Sequence, residues 1–385
     1  MSHSELNNFQ ASTFLQQYWQ QKPLLLENAL PDFISPIDAN ELAGLALEDE
    51  VESRLIVEDK TAAESAWQVR HGPFDESEYS SLQGKNWTLL VQAVDLYIDE
   101  IAELKQYFRF IPDWRIDDIM ISFAPKGGSV GPHFDQYDVF LLQASGSREW
   151  KIGQFCDKDT ELQENEQLKI LSQFDTQQTH TLNAGDILYV PPGVAHWGVS
   201  QSDDCMTISI GFRAPSSSQI IQNCCDEVVS RLSDDQRFND IQIDSEAHPG
   251  QIPHHVKQQI KDILLDNLVN SKALMNSFGQ MMTDCKYSQM IDETKPSLSE
   301  AKEQQLILEK SPDARLAYFI EENEILLFAN GHTISCPLNE EDFLQSLSDN
   351  CIDINHDTLN DKQTEIINSL IKLGVYDSYD ESYYD

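Results

Sequence analysis

Alternation of apolar and polar residues runs from residue 114 to residue 215, and it predicts one short β-strand after another. In the first of these strands Ile119 and Ile121 share one face, whereas Met120 and Ser122 share the other. Many short strands separated by turns are typical of a closed or jelly-roll β architecture. This part of the chain is therefore predicted to form an all-β barrel, and residues 10–100 are predicted to form mixed helix and strand.

After Pro215 the pattern changes to a helical period. One predicted helix places its apolar residues on a single stripe: Val256, Ile260, Ile263, Leu264 and Leu268. Such a stripe is buried either on the barrel of its own chain or on a second subunit, and the pattern does not choose between them.

The last part of the chain combines predicted helices with strands around the turn Asn330-Gly331, a pair typical of a tight hairpin. We expect a barrel domain over residues 1–215, a helical linker over 216–294 and a small helix-and-hairpin domain over 295–385. The tail Tyr376–Asp385 is acidic and rich in tyrosine, and it is expected to be mobile.

Two stretches carry candidate metal ligands. The first, Gly131-Pro132-His133-Phe134-Asp135, places His133 and Asp135 two residues apart, which is ~6.6 Å along one face of a strand. This pair alone equally fits a buried histidine beside a surface aspartate. The second stretch consists of an apolar strand, a proline-glycine turn and then His196. Two histidines and one aspartate form the facial triad that holds Fe(II) and leaves coordination positions open.

Arg148 shares the strand phase of Trp150 and Ile152, so it is predicted to point inward. An inward guanidinium is costly unless an anion meets it, and its planar fork grips a carboxylate with two hydrogen bonds. Three other polar residues lie on the polar faces of predicted barrel strands: Ser122, Thr207 and Ser209. They are candidate co-substrate contacts if those faces line a pocket, but the same pattern suits a solvent-exposed face.

The spacing of these motifs resembles a known family. Gly127, five residues and His133-x-Asp135 are similar to the first cupin motif, and Gly185, five residues, Pro191-x-Gly193, two residues and His196 are similar to the second. The chain therefore resembles the JmjC-type 2-oxoglutarate oxygenases. Three segments further resemble the bacterial ribosomal oxygenases: Trp114–Asp118, Gly131–Phe140 and Gly211–Pro215.

That resemblance implies a double-stranded β-helix of the cupin type, a helical segment through which similar proteins form homodimers, and a winged-helix-like domain, an α+β protein overall. It implies Fe(II) held by His133, Asp135 and His196, with 2-oxoglutarate and O₂ as co-substrates and Arg148 on the far carboxylate. The implied reaction hydroxylates the β-carbon of an arginine in a large-subunit ribosomal protein, the sixteenth. Similar proteins include histidyl hydroxylases and lysine demethylases. The choice of arginine as the modified side chain therefore rests on the resemblance and not on residues of this sequence.

Four residues near the metal stretch are candidates for receiving the substrate arginine, because they flank the ligands or the preceding strand: Asp117, Asp118, Tyr137 and Asp138. Asp138 has the opposite strand phase from His133 and Asp135, which counts against it on a regular strand.

The net charge of the chain limits the classes of partner that it can bind. The 385 residues contain 26 Lys and Arg against 65 Asp and Glu, a net charge of −39, which repels nucleic acid and attracts basic proteins. Solubility in a salty or cold habitat would explain the same excess. Residues 295–385 carry 6 basic and 19 acidic residues, so their winged-helix pattern predicts no direct DNA binding.

Localisation is expected to be cytoplasmic. No apolar run reaches the ~20 residues of a membrane helix, and the first residues lack the pattern of a signal peptide. The seven cysteines are scattered and lack metal-binding spacing, as expected for reduced thiols.

Two other classes of function remain open on the residues alone. A cupin binding module or metal-dependent isomerase would use the same three ligands without 2-oxoglutarate, and the inward phase of Arg148 speaks against it. An acidic adaptor would bind ribosomal proteins without chemistry.

Overall fold

The computed structural model describes residues 5–59, 66–82, 86–164, 168–239, 248, 250–269, 272–286, 295–356 and 358–380. It divides into two compact units, Met1–Ala214 and Pro215–Asp385. No helix within the described ranges is long and apolar enough to cross a membrane.

The first unit is a β structure with short helices at its amino-terminal side. Its helices are α1 Ala11–Gln17, α2 Ala39–Leu45, α3 Glu76–Ser80 and α4 Asp99–Glu103. Its strands are β1 Leu24–Leu26, β2 Ser53–Asp59, β3 Ala66–His71, β4 Asn86–Val91, β5 Ile116–Ala124, β6 Val139–Ser145, β7 Ser147–Phe155, β8 Gln178–Asn183, β9 Ile187–Val190, β10 Val194–Ser200 and β11 Cys205–Phe212.

These strands form two antiparallel sheets. The larger sheet has the order β1-β9-β6-β11-β5-β4-β2-β3, and the smaller has the order β10-β7-β8. Apolar side chains of both sheets meet in one interior cluster, where Leu141 and Leu188 of the larger sheet pack with Trp150 and Leu182 of the smaller. The two sheets therefore face each other, as in a jelly roll.

The larger sheet uses its two faces differently, as the alternating sequence predicts. Ile208 and Ile210 of β11 point into the outer core beneath the amino-terminal helices. Thr207 and Ser209, on the opposite face of the same strand, point toward the interior between the sheets. The outer face thus gives the unit its large apolar core, and the inner face is left for a polar pocket.

The second unit contains the remaining helices and strands. Its helices are α5 Ser217–Arg231, α6 His254–Leu264, which continues as a π-helical turn over Leu265–Val269, α7 Ala273–Thr283, α8 Leu298–Glu303, α9 Glu341–Ser348 and α10 Asp361–Lys372. Its strands are β12 Leu306–Lys310, β13 Leu316–Ile320, β14 Ile325–Ala329, β15 His332–Cys336 and β16 Tyr376–Asp380.

The predicted hairpin is present: β14 and β15 pair across Asn330-Gly331, and both turn residues have positive φ, as such a turn requires. Helix α7 packs on this sheet, with Gly279 against the Phe328 ring and the Gln280 amide donating to Thr333 Oγ1 at 3.1 Å. A helix from the predicted linker therefore belongs to the carboxy-terminal core.

The expected mobility of the tail is wrong for its first half. Residues Tyr376–Asp380 form strand β16, which pairs antiparallel with β12, and Tyr376 is buried in the core of the unit. Burial of Tyr376 in the apolar core anchors this segment as a strand despite its acidic composition. Residues 381–385 lie outside the described ranges, as do 287–294, where the boundary between the linker and the last domain was expected.

The apolar stripe of α6 is exposed. Ile260, Ile263 and Leu264 are 47–48% exposed, and Val269 beyond them is 54% exposed. The amphipathic period of this helix is confirmed, and these apolar side chains are about half exposed within the part of the chain that the structure describes.

Candidate metal centre and co-substrate pocket

Two irregular segments bring the candidate ligands together. His133 and Asp135 lie before β6 and not on a regular strand, which corrects the predicted strand placement. His133 instead forms a single antiparallel bridge with His196 at the start of β10. Its amide donates to the His196 carbonyl at 3.1 Å, and the His196 amide donates back at 2.8 Å. Backbone pairing thus places the two histidines side by side.

Backbone conformation explains the glycines around this bridge. Gly131 has φ +84°, and a Cβ there would lie 2.6 Å from Ile170 Cδ1 and 3.1 Å from the Trp67 ring. Gly193, with φ +77°, donates its amide to the Asp135 carbonyl at 2.7 Å. Both positions combine a left-handed backbone with close neighbours, so only glycine fits without strain.

The three ligand side chains converge. Asp135 Oδ2 lies 3.9 Å from His133 Nε2 and 3.6 Å from His196 Nε2. Within the described residues, these three form the one group of His, Cys, Asp or Glu side chains whose ligand atoms lie close enough for a metal ion. The structure therefore brings together all three predicted ligands.

Hydrogen bonds fix the tautomer of both rings. His133 Nδ1 lies 3.0 Å from the Gly131 carbonyl, and His196 Nδ1 lies 3.0 Å from the Val194 carbonyl. A carbonyl oxygen can only accept, so each neutral ring carries its proton on Nδ1 and turns the Nε2 lone pair toward Asp135. Burial, aided by nearby His133, lowers the pKa of His196 to about 4, so that its ring is neutral at pH 7. Two neutral imidazoles and one carboxylate fit divalent iron.

Arg148 is buried in the interior of the same barrel, and only 2% of it is exposed. Its Nε donates to Cys205 Sγ at 3.4 Å, but its buried Nη2 has no hydrogen-bond partner among the residues that the structure describes. An unmatched buried guanidinium is unfavourable. The arrangement fits a pocket that receives a carboxylate.

The three polar strand residues also face this interior. Ser122, Thr207 and Ser209 are all buried, so the alternative of an exposed polar face is excluded. Ser122 and Thr207 are cross-strand neighbours, and Thr207 Oγ1 donates to Gln143 Oε1 at 3.2 Å. They line the same polar interior that Arg148 enters.

Sequence reasoning missed Gln143. This fully buried amide donates to the Met206 carbonyl at 3.1 Å and to Cys205 Sγ at 3.4 Å, while it accepts from Thr207. It therefore fixes the orientation of Thr207. The available signal was one amide side chain directly after the apolar run Val139–Leu142.

Tyr137 and Asp118 lie beside the metal cluster. Burial raises the pKa of Tyr137, and the neighbouring Asp135 and Asp118 carboxylates and a hydrogen bond to Asp135 act in the same direction. The side chain as a whole remains 42% exposed, so Tyr137 joins the metal cluster to the surface. Asp118 is buried and accepts from Gln92 Nε2 at 2.8 Å.

Asp138 and Asp117 are placed differently. The Asp138 carboxylate is fully buried and accepts from Tyr189 Oη at 2.6 Å, Gln20 Nε2 at 3.0 Å and Arg115 Nη2 at 3.5 Å. Burial raises the pKa of Asp138, against the effect of these partners. Such pairing favours a structural role and speaks against substrate binding.

Asp117 accepts from Arg213 Nε at 2.9 Å, and its side chain is 43% exposed. The structure does not join it to the metal cluster.

Comparison with known proteins agrees with this geometry. Residues 103–220 match the family model of the JmjC domain, and residues 262–379 match that of the ROXA-like winged helix. The predicted order of jelly roll, helical segment and winged helix is thereby confirmed. The fold and the site define a JmjC-type 2-oxoglutarate oxygenase.

Individual relatives narrow the class. The chain is 37% identical over 274 residues to the ribosomal protein uL16 3-hydroxylase of Escherichia coli, covering 71% of each chain. It is 34% identical over 353 residues to a probable ribosomal oxygenase of Haemophilus influenzae, covering 87% of this chain and 85% of that protein. The chain belongs to the ribosomal oxygenase family.

Solved structures give the same result over nearly the whole chain. The Escherichia coli ribosomal oxygenase YcfD in complex with cobalt and 2-oxoglutarate is 31% identical, with a TM-score of 0.82, covering 98% of this chain and 99% of that one. Its complex with cobalt and succinic acid has the same TM-score at 32% identity.

Asp138→Ala should destabilise the first unit by roughly 3 kcal/mol, because it leaves the buried Tyr189 hydroxyl and Arg115 without their acceptor. Asp113→Ala, the control, should change stability by less than about 1 kcal/mol, since the ion pair that Asp113 forms with Arg109 lies at the surface. Chemical denaturation monitored by tryptophan fluorescence measures both. A stable Asp138→Ala protein with an impaired KM for substrate would instead assign Asp138 to substrate binding.

Proposed function

We propose that this protein uses Fe(II), 2-oxoglutarate and O₂ to hydroxylate the β-carbon of an arginine in ribosomal protein uL16. One observation carries the proposal: a metal-ligand triad and a buried Arg148 with an unmatched N–H share the interior of one jelly roll. A metal cupin without 2-oxoglutarate would not need that donor, and a non-catalytic adaptor would need neither feature. The named activity of the Escherichia coli relative supports the substrate.

His133, Asp135 and His196 are the proposed iron ligands. The bridge between the histidines and their Nδ1 contacts to carbonyls hold the two imidazole donors before metal arrives, which reduces the reorganisation that accompanies binding. When bound, iron supplies the chemistry of C–H hydroxylation, in which 2-oxoglutarate and O₂ give succinate, CO₂ and the hydroxylated side chain. The open positions of a three-ligand site accommodate both co-substrates.

Arg148 is the proposed partner of the far carboxylate of 2-oxoglutarate. Its Nη2 supplies a charge-assisted hydrogen bond, and Cys205 holds Nε on the other side of the guanidinium. We assign Thr207, Ser122 and Ser209 to the polar wall of this pocket, with Thr207 oriented by Gln143.

Tyr137 and Asp118 are the proposed contacts of the substrate arginine. Asp118 provides a buried negative charge, and Tyr137 lies between Asp135 and the exterior. The guanidinium of a substrate arginine that enters beside Tyr137 would be drawn toward Asp118. The β-carbon of that arginine would then remain near the iron ligands. The net charge of −39 also accelerates encounter with a basic ribosomal protein.

The proposed architecture has three parts: an oxygenase domain over 1–215, a helical dimerisation segment over 216–294 and a winged-helix domain over 295–385. The compact unit ending at Ala214 supports the first boundary. The winged-helix match begins at residue 262, which supports counting α7 with the last part. The acidity of residues 295–385 supports a protein-contacting or scaffolding role without DNA.

Homodimerisation is proposed to cover the exposed apolar residues of α5, α6 and the turn after α6. Several exposed large apolar residues on neighbouring segments of the chain favour an interaction site. The residues are Ile221, Val229, Ile260, Ile263, Leu264, Leu265 and Val269.

Iron binding should depend on the three ligand side chains. His133→Ala and His196→Ala should each abolish stoichiometric iron binding and 2-oxoglutarate turnover, and Asp135→Ala should do nearly the same because it removes the charged donor. Metal content after anaerobic reconstitution and succinate formation measure these effects. His180→Ala, a histidine on β8 that contacts Gln178, is the control and should change neither. Wild-type iron and turnover in His196→Ala would refute the triad.

Arg148→Ala should weaken 2-oxoglutarate binding while leaving iron affinity unchanged. Losing a charge-assisted contact and leaving a carboxylate unpaired costs on the order of 2–4 kcal/mol, or roughly 30- to 1,000-fold in affinity. Titration of the Mn(II)-loaded protein with 2-oxoglutarate measures the change. Arg109→Ala, whose surface guanidinium pairs with Asp113, serves as the control. An equal loss of metal and co-substrate binding would make Arg148 structural.

Substrate recognition should depend on the arginine itself. A uL16 peptide with lysine in place of the target arginine should react poorly even at saturation, because lysine lacks the planar fork. Salt should lower turnover at low peptide concentration and leave the saturated rate almost unchanged, since long-range attraction is screened and enclosed contacts are screened less. Peptide mass spectrometry measures both. Lysine or histidine peptides that react as well as arginine would overturn the substrate assignment.

Dimerisation should depend on the α6 stripe. The double variant Ile260→Asp/Ile263→Asp should sediment as a monomer, because charged residues cannot be buried unpaired in an apolar interface. Analytical ultracentrifugation of Gln258→Ala, on the same helix, provides the control and should show the wild-type dimer. A wild-type protein that sediments as a monomer would contradict the proposal.

A further inference from the structure

The indole N–H of Trp150 is buried, and none of the described residues accepts a hydrogen bond from it. Trp150 as a whole is 4% exposed. An indole nitrogen can only donate, and buried tryptophan N–H groups usually find an acceptor. The unmatched N–H therefore points to an acceptor that is bound from outside the chain.

Strand register places Trp150 between Arg148 and the metal cluster. In the pairing of β7 with β10, Arg148 lies opposite Ser200, Trp150 opposite Gly198 and Ile152 opposite His196. Arg148 and Trp150 share one face of β7, as do Gly198 and His196 on β10. A molecule reaching from Arg148 to the metal must pass over the pair formed by Trp150 and Gly198.

Ring contacts agree with this placement. The Arg148 guanidinium carbon lies 5.7 Å from the Trp150 ring centroid, and the His196 ring centroid lies 5.9 Å from it. A Cβ on residue 198 would lie 2.8 Å from Trp150 Cη2 and Cζ3 and 3.0 Å from Cε3. Those atoms belong to the side of the indole away from Nε1, so glycine at 198 admits the ring and the N–H lies on its other side.

We propose that Trp150 Nε1–H is a second donor to the far carboxylate of the co-substrate, beside Arg148. The inference rests on the proposed function, because it takes a 2-oxo dicarboxylate as the ligand. Two unmatched buried donors, one cationic and one neutral, suit two oxygen atoms of one carboxylate. Trp150 would thereby help the pocket select a dicarboxylate over a monocarboxylate.

The experiment measures ligand binding and the indole signal separately. Titrating Mn(II)-loaded Trp150→Phe with 2-oxoglutarate should give roughly 10- to 100-fold weaker binding, the loss of a hydrogen bond to a charged group. Binding of 2-oxobutanoate, which lacks the far carboxylate, should be nearly unchanged. Trp87→Phe, whose ring packs with Phe123 in the outer core, is the matched control and should bind 2-oxoglutarate like wild type.

Nuclear magnetic resonance tests the hydrogen bond without a substitution. In ¹⁵N-tryptophan-labelled, Zn(II)-loaded wild type, the Trp150 indole proton should shift downfield on addition of 2-oxoglutarate but not of 2-oxobutanoate. This signal is assigned by its absence in Trp150→Phe, and it remains informative if that variant folds poorly.

Three results would overturn the inference: wild-type 2-oxoglutarate affinity in Trp150→Phe, an unmoved indole signal, or equal loss for both ligands. In those cases Arg148→Ala still binds 2-oxoglutarate weakly and the proposed function stands. If wild type fails to bind 2-oxoglutarate, or Arg148→Ala binds it normally, the proposed function itself fails.

Discussion

The site depends on one pair of backbone hydrogen bonds, which joins His133 to His196 across the mouth of the barrel. These segments are distant in sequence, and the bridge brings His196 beside His133 and Asp135. Each ring then donates from Nδ1 to a carbonyl two residues before it, so the backbone that positions the ligand also fixes its tautomer. Ligand geometry is therefore a property of the chain before any ion is bound, which lowers the cost of binding one.

The interior behind this bridge contains donors that the protein does not satisfy. A buried donor left without an acceptor costs about 1–3 kcal/mol, and more when it is charged. Arg148 and Trp150 both contribute such groups, whereas Gln143 and Thr207 satisfy one another. On the proposed function, a ligand carboxylate would complete these donors. The stability that they cost the protein would then be recovered as affinity and selectivity for the co-substrate.

Sequence pattern predicted the parts of this arrangement that local spacing controls. The inward phase of Arg148 followed from strand alternation, and the ligand identities followed from two motifs. Alternation could not reveal that His133 and Asp135 precede a regular strand, since that depends on a bridge to a distant segment. Nor could it reveal the partners of Asp138, because Tyr189 and the amino-terminal segment reach it only through the fold.

The central claim, that an arginine of uL16 is the physiological substrate, is tested most directly by intact mass spectrometry of ribosomal proteins from cells with and without this gene. The account predicts that uL16 alone loses the mass of one oxygen atom when the gene is deleted, and that fragmentation places this oxygen on an arginine side chain at the β-carbon. The same uL16 mass in both strains, or a difference on another ribosomal protein, would contradict it.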